Sequence, residues 1–195
     1  MATRPMRPQL RARYDRRRDE LVRQAARTFA RRGYDQTTMQ ELAATMGLAT
    51  GALYHYFPGK ERLLIAICDQ LMEPLLSAAT ELAAADAPVR ERLRAVVRLW
   101  VEHVVAHQDH MLVFQQERHQ LQSGEDWRGV RAARKAFEQL VGSLLERAGP
   151  RGGGRLALLA LLGMVNHTAQ WYSPRGELSP REIADGYLEL VLGGA

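Results

Sequence analysis

The stretch from Thr38 to Lys60, TMQELAATMGLATGALYHYFPGK, constrains this chain more than any other. Thr38 and Glu41 have the spacing of a capping box, in which a hydroxyl and a carboxylate satisfy each other's first-turn amides. Met39, Leu42, Ala43 and Met46 follow as an apolar face at helical spacing. Gly47 stands where that helix must stop, because glycine enters the left-handed region without steric cost. A second helix is expected from about Ala49 to Tyr56, ended by Pro58-Gly59. Leu53 and Phe57, four apart, face Leu42 and Met46, while Thr50, Gly51, Tyr54 and His55 remain on the outer side. This is the pattern of a helix-turn-helix whose second helix suits a DNA groove.

The charge distribution agrees. The chain nets +5, but residues 1–32 hold 11 arginines against Asp15, Asp19 and Glu20 and net +8, leaving −3 for the remainder. Positive charge gathered beside a helix-turn-helix suits a polyanionic partner. Met1 to about Arg13, with Pro5 and Pro8, reads as an arm able to reach a neighbouring groove or backbone. Within the outer face, Thr50, Gly51 and Ala52 are the residues expected at base edges, with Gly51 allowing close approach and Ala52 available to a thymine methyl.

These residues also carry a family resemblance. Thr37-Thr38, Glu41-Leu42-Ala43, Gly47-Leu48, Gly51 to Phe57 and Lys60-Glu61-Arg62-Leu63-Leu64 resemble the signature of TetR/AcrR-type transcriptional regulators. The resemblance implies double-stranded operator DNA as partner, with backbone contacts from Thr38, Tyr54, His55 and Lys60. Two positions depart from the family pattern. Ala49 stands where serine often caps the second helix, and Gly59 where Ser, Asn or Asp is more usual.

The rest of the chain reads as helices. A first helix is expected over about Tyr14 to Arg32, with Leu21, Val22, Ala25, Ala26 and Phe29 buried and Gly33 at its end. After the helix-turn-helix, a fourth runs from Glu61 to Leu82 with Pro74 inside it, whose missing amide predicts a kink. Further helices are expected over Val89–Ala106, Gln108–Leu121, Trp127–Ala148 and Leu156–Tyr172. The breaks fall at Ala83–Pro88, Ser123-Gly124, Gly149–Gly154 and Ser173–Gly176. Ser179 then caps a last helix, with Pro180 at its first position and Glu182 at its third. No alternating strand is evident. The expected fold is all-α, about nine helices, with a DNA-binding domain over residues 1–59 and an effector-binding and dimerisation domain over 60–195. Homodimerisation is expected from the single recognition helix per chain and from the apolar runs Leu158, Leu159, Leu162, Val165, Leu188 and Val191.

The second domain has a different chemistry. Trp100, His103, His107, His110, Met111, Phe114, His119, His167, Gln170, Trp171 and Tyr172 are spread over helices expected to surround one cavity, and large aromatics with a few polar groups are what a ligand pocket contains. Arg118, Arg131, Arg134 and Arg175 are the candidate partners for ligand phosphates. His103 and His107 have helical spacing for a metal, but no acid or cysteine is placed to complete the site. No phosphate loop, nucleophile elbow or carboxylate pair supports catalysis, so neither an enzyme nor a cofactor is expected. The single Cys68 excludes an internal disulfide and fits a reducing cytoplasm. No uninterrupted apolar run reaches the ~18–20 residues that span a bilayer, so no membrane partner is expected.

Asn166 to Pro174 and Gly176 to Ser179 are similar to the C-terminal part of TetR-type regulators of fatty-acid, phenylacetate and sterol breakdown. The similarity implies an acyl-CoA thioester as the small-molecule effector. The rivals are a multidrug-efflux repressor binding a lipophilic compound, and an architectural DNA-binding protein without effector.

Overall fold

Proline is tolerated in a helix's first turn, where its missing amide has no partner to lose. Gln9 to Arg13 are good helix formers. The first helix, α1 (Pro8–Arg32), accordingly begins at Pro8 rather than near Tyr14, so the later part of the expected arm is helical. The computed structural model describes residues 8–119, 124–150 and 153–193. The earlier part of that arm, Met1 to Arg7, lies outside them, as do Leu121, Ser123, Arg151 and Gly152 of the expected helix end and linkers.

The chain continues as α2 (Met39–Thr45), α3 (Thr50–Tyr56), α4 (Lys60–Ala83), α5 (Val89–Ala106), α6 (Gln108–Gln116), α7 (Arg128–Ala148), α8 (Gly154–Trp171) and α9 (Pro180–Leu192), with no strand among the described residues. It divides into two compact units, residues 1–67 and 68–195, and the division falls inside α4. Helix α6 stops short of the expected Leu121, at a Glu117 cap that no glycine or proline announces.

In the first unit, Leu21, Val22, Ala25, Ala26 and Phe29 of α1 are buried, as are Leu42, Met46, Leu53 and Phe57 of the helix-turn-helix. Helix α2 packs on α3. Gly47, at φ +66°, makes the turn between them in a conformation that other residues adopt only under strain.

In the second unit, α5 is the hub, packing on α6, α7, α8 and α9. Its stripe Leu93, Val96, Val97, Trp100, Val101 and Val104 is buried at the i, i+3, i+4 spacing that puts one helix face inward. Each such side chain contributes about 1.5–3 kcal/mol relative to exposure. The Arg98 guanidinium clamps Asp185 of α9 through two hydrogen bonds of 2.8 and 2.5 Å. Helix α9 has a full capping box, Ser179 with Glu182, and Pro180 in its first turn. Ile183, Leu188 and Val191 are buried. Val165, Leu188 and Val191, expected on a surface between copies, therefore belong to the core of this chain, whereas Leu156, Leu159, Trp171, Leu178 and Leu190 are exposed.

Helix α4 continues through Pro74. By length and composition it is apolar enough to cross a membrane, with a mean hydropathy of 1.3 over its most apolar window. Asp69 and Glu73 interrupt that run, and Leu63, Leu64, Ile67, Leu71, Met72 and Leu75 are buried inside protein. Cys68 is buried among them, and burial pushes its thiol up to about 12, far from reactivity at neutral pH.

Candidate functional site

The capping box predicted for α2 is present. The Thr38 hydroxyl accepts from the Glu41 amide at 3.2 Å, and the Thr38 amide donates to the Glu41 carboxylate at 2.8 Å. That backbone hydrogen bond, with a second from the Thr38 hydroxyl, holds the Glu41 carboxyl below the usual range. Helix α3 has no such device: Ala49 is its N-cap and offers no side-chain hydrogen bond, nor does Thr50 replace one. Gly51, Tyr54 and His55 are exposed, Thr50 and Ala52 half-buried, and a side chain at Gly51 would meet nothing within 4 Å. The outer face of α3 is thus open along its length.

The two tyrosines of α3 separate by role. Tyr54 is 47% exposed. Tyr56 stacks on Tyr14 of α1 with centroids 4.8 Å apart and planes at 17°, and Arg18, one turn further along α1, lies over the Phe57 ring at 5.0 Å. Lys60, expected to reach a phosphate, donates instead to the Tyr34 carbonyl at 2.8 Å and sits 4.2 Å from the Tyr34 ring centroid.

The second unit contains a cavity of about 490 Å³ among α4, α5, α6, α7 and α8. Of the residues expected on it, Trp100, Met111, Phe114, Arg118, Arg134 and His167 line the wall. Trp100 meets Phe137 edge-to-face at 4.9 Å, giving the floor an aromatic corner. Arg134 is engaged by Glu138 at 2.7 Å, so an anion approaching it must compete with a carboxylate already in place. Met72, Leu75, Leu159 and Leu162 add apolar wall, and Gln115, Glu138, Gly163 and Asn166 complete the lining. Phe137 sits on the i, i+4, i+7 stripe with Val141 and Leu144 of α7, a pattern that marks it as buried but not as facing a void.

The other expected lining residues are elsewhere. His103 is half-buried and its Nε2 lies 2.8 Å from the Leu71 carbonyl of α4. A carbonyl only accepts, so Nε2 carries the proton. Burial, then the neighbouring His107, lowers the His103 pKa and favours this neutral form. His107 donates in turn to the His103 carbonyl at 2.9 Å, and His110 is buried with its Nε2 3.3 Å from the Gln70 amide oxygen. His103 and His110 therefore tie the α5–α6 corner to α4, with the His107 ring between theirs, and no group among the described residues has metal-binding geometry. Arg131 lies one turn before Arg134 and off the wall. Gln170, one turn past the wall residues Asn166 and His167, donates to Gln115 at 3.0 Å, and Trp171 turns outward, 47% exposed. Tyr172 contributes its carbonyl to Gln108 at 3.0 Å, which caps the end of α8. Arg175 is exposed in the loop before α9.

Residues 21–67 match bacterial regulatory proteins of the tetR family, and residues 86–195 match the tetracyclin repressor-like C-terminal domain. The chain belongs to the TetR family. It is a DNA-binding transcriptional regulator by that membership, and the resemblance noted in its helix-turn-helix holds over both units. The HTH-type transcriptional repressor KstR2 of Rhodococcus jostii (strain RHA1) is 30% identical over 185 residues, 91% of this chain and 90% of that protein. Among solved structures, the ketosteroid transcriptional regulator KstR2 of Mycobacterium tuberculosis superposes with a TM-score of 0.82 at 25% identity, covering 91% of this chain and 93% of that one. AibR in complex with isovaleryl coenzyme A and operator DNA superposes with a TM-score of 0.77 at 27% identity, covering 92% and 100%. In this TetR-family chain the matched N-terminal region starts at Leu21, so the first turns of α1, with Arg11, Arg13 and Tyr14, precede it.

Proposed function

We propose that the protein is a cytoplasmic, homodimeric repressor that leaves its operator when an acyl-CoA thioester fills the second unit. The observation that carries this reading is the 490 Å³ cavity, whose apolar body of Trp100, Phe114, Phe137, Leu75 and Leu162 is edged by Arg118, Arg134 and His167. An acyl chain suits the first set and the thioester end of CoA the second. Two similarities support it: the repressor name of the Rhodococcus relative, and the isovaleryl coenzyme A held by AibR.

Thr50, Gly51 and Ala52 read bases in this scheme, while Thr38, Tyr54, His55 and Lys60 hold the backbone. One short recognition helix covers few base pairs, so two copies on a palindrome are needed for specificity. Helix α4 carries Lys60 at its first residue and Met72 and Leu75 on the cavity wall, which makes it the route by which a filled cavity alters the DNA-binding unit. A ligand favouring the released form tenfold shifts the equilibrium by about 1.4 kcal/mol per site.

The test is operator binding followed by fluorescence anisotropy during titration with medium- and long-chain acyl-CoAs, free CoA and free fatty acids. Release by thioesters alone is expected. If no thioester alters affinity while a cationic or aromatic drug frees the DNA, the multidrug-efflux alternative replaces this one.

A further inference from the structure

The end of α1 is built around Tyr34. Gly33 takes φ +86°, a conformation strained for other residues, and its amide donates to the Phe29 carbonyl at 2.8 Å. The Thr37 hydroxyl donates back to the Gly33 carbonyl at 2.8 Å, and the Thr37 amide to the Tyr34 carbonyl at 3.2 Å. Phe29 is fully buried, and the Tyr34 ring meets it edge-on at 5.2 Å and 68°. The ring is therefore fixed from the core side, and its face holds the Lys60 ammonium 4.2 Å from the centroid. The carbonyl of the same residue accepts from that ammonium at 2.8 Å.

A lysine side chain is a flexible four-carbon stem ending in a compact charge, so its rotamer freedom opposes any single contact. Here one residue supplies both a carbonyl and a ring face to the same ammonium. An ammonium has three N–H donors, and the carbonyl takes one. The turn that holds it leads through Thr37 straight to the exposed cap residue Thr38.

We propose that Tyr34 is a positioning residue for DNA binding, acting through Lys60. Its carbonyl and ring fix the ammonium in advance, so that the remaining donors meet an operator phosphate without first losing the freedom of the stem. The proposal rests on the phosphate role of Lys60, and it adds that the ring, not the tyrosine hydroxyl, does the fixing.

Operator and random-sequence duplexes titrated at several salt concentrations, with a thermal melt of each variant, provide the test. Lys60→Met should weaken both duplexes alike and lower the salt slope by about one phosphate contact. Tyr34→Leu, which keeps the carbonyl and removes the ring, should weaken both by about two- to five-fold, the weak end of the range for a cation–ring pair. Tyr34→Phe should match the wild type. In the Lys60→Met background, Tyr34→Leu should have no further effect. An equal loss in both backgrounds, or a loss on Tyr34→Phe, overturns the proposal. So does a silent Tyr34→Leu beside a sensitive Lys60→Met, which leaves the phosphate role standing. An unchanged slope on Lys60→Met removes that role as well. If Tyr34→Leu melts too early to be read, Tyr34→Trp must keep wild-type binding, and its loss with the fold intact is equally fatal.

Discussion

Ala49 sits at the N-cap of α3 in extended conformation, φ −66° and ψ 142°, which is the geometry that lets a hydroxyl accept from the first turn. Thr38 and Ser179 use that geometry at α2 and α9, each with a glutamate completing the box. Ala49 lacks the oxygen and is exposed, so a hydroxyl there disturbs no packing. Ala49→Ser is therefore expected to raise the free energy of unfolding by about 1 kcal/mol. It should appear as a higher urea midpoint with an unchanged slope. A midpoint at or below that of the wild type would show that the first turn of α3 gains nothing from a cap.

Two elements that are distant in sequence, α5 and α9, are joined by the Arg98–Asp185 clamp. Hydrogen bonds from Arg98 hold the Asp185 carboxyl below its ordinary 3.8, with help from the charges of Arg98, Arg94 and Arg181. A carboxylate depressed in the folded state stabilises above its unfolded value, and that contribution is lost as pH falls through the folded one. Asp185→Asn is thus expected to cost about 1 kcal/mol at pH 7, since the pair is half-exposed to screening. The gap to the wild type should narrow below pH 3.8. Urea unfolding at pH 7 and near pH 3 measures both, and a difference that ignores pH would mean that the clamp acts by shape alone.

For the whole molecule, the proposed homodimer needs a surface that the single chain leaves apolar and open. Leu156 and Leu190 are 64% and 75% exposed on α8 and α9, beyond what the chain buries by itself. Because neither belongs to the core, Leu156→Glu with Leu190→Glu should leave the thermal melt of the monomer intact. Sedimentation should then show a shift to monomer, and operator affinity should fall with it, since one recognition helix reads too little DNA. A double variant that stays dimeric would place the interface on another surface.

Some of this was legible in the residues alone, and for a physical reason: it depends on neighbours in sequence. Capping boxes at Thr38 and Ser179, the glycine turn at Gly47 and the buried stripe of α1 follow from three- and four-residue spacing, and Thr38 with Gly47 marks out the helix-turn-helix. The family resemblance added the DNA-facing roles, and the matches over both units bear out the family. What needed the tertiary structure was every decision between faces of helices that are apolar all round. Val165 and Leu159 look alike in the sequence, yet one is in the core and the other exposed, because α8 touches α5, α6, α7 and α9 on different sides. His103 has the composition of a pocket residue, but its Nε2 donates a hydrogen bond to the Leu71 carbonyl, thirty-two residues away. Lys60 has the position of a phosphate contact, and only folding brings Tyr34 beneath it, because a ring and an ammonium twenty-six residues apart share no local pattern.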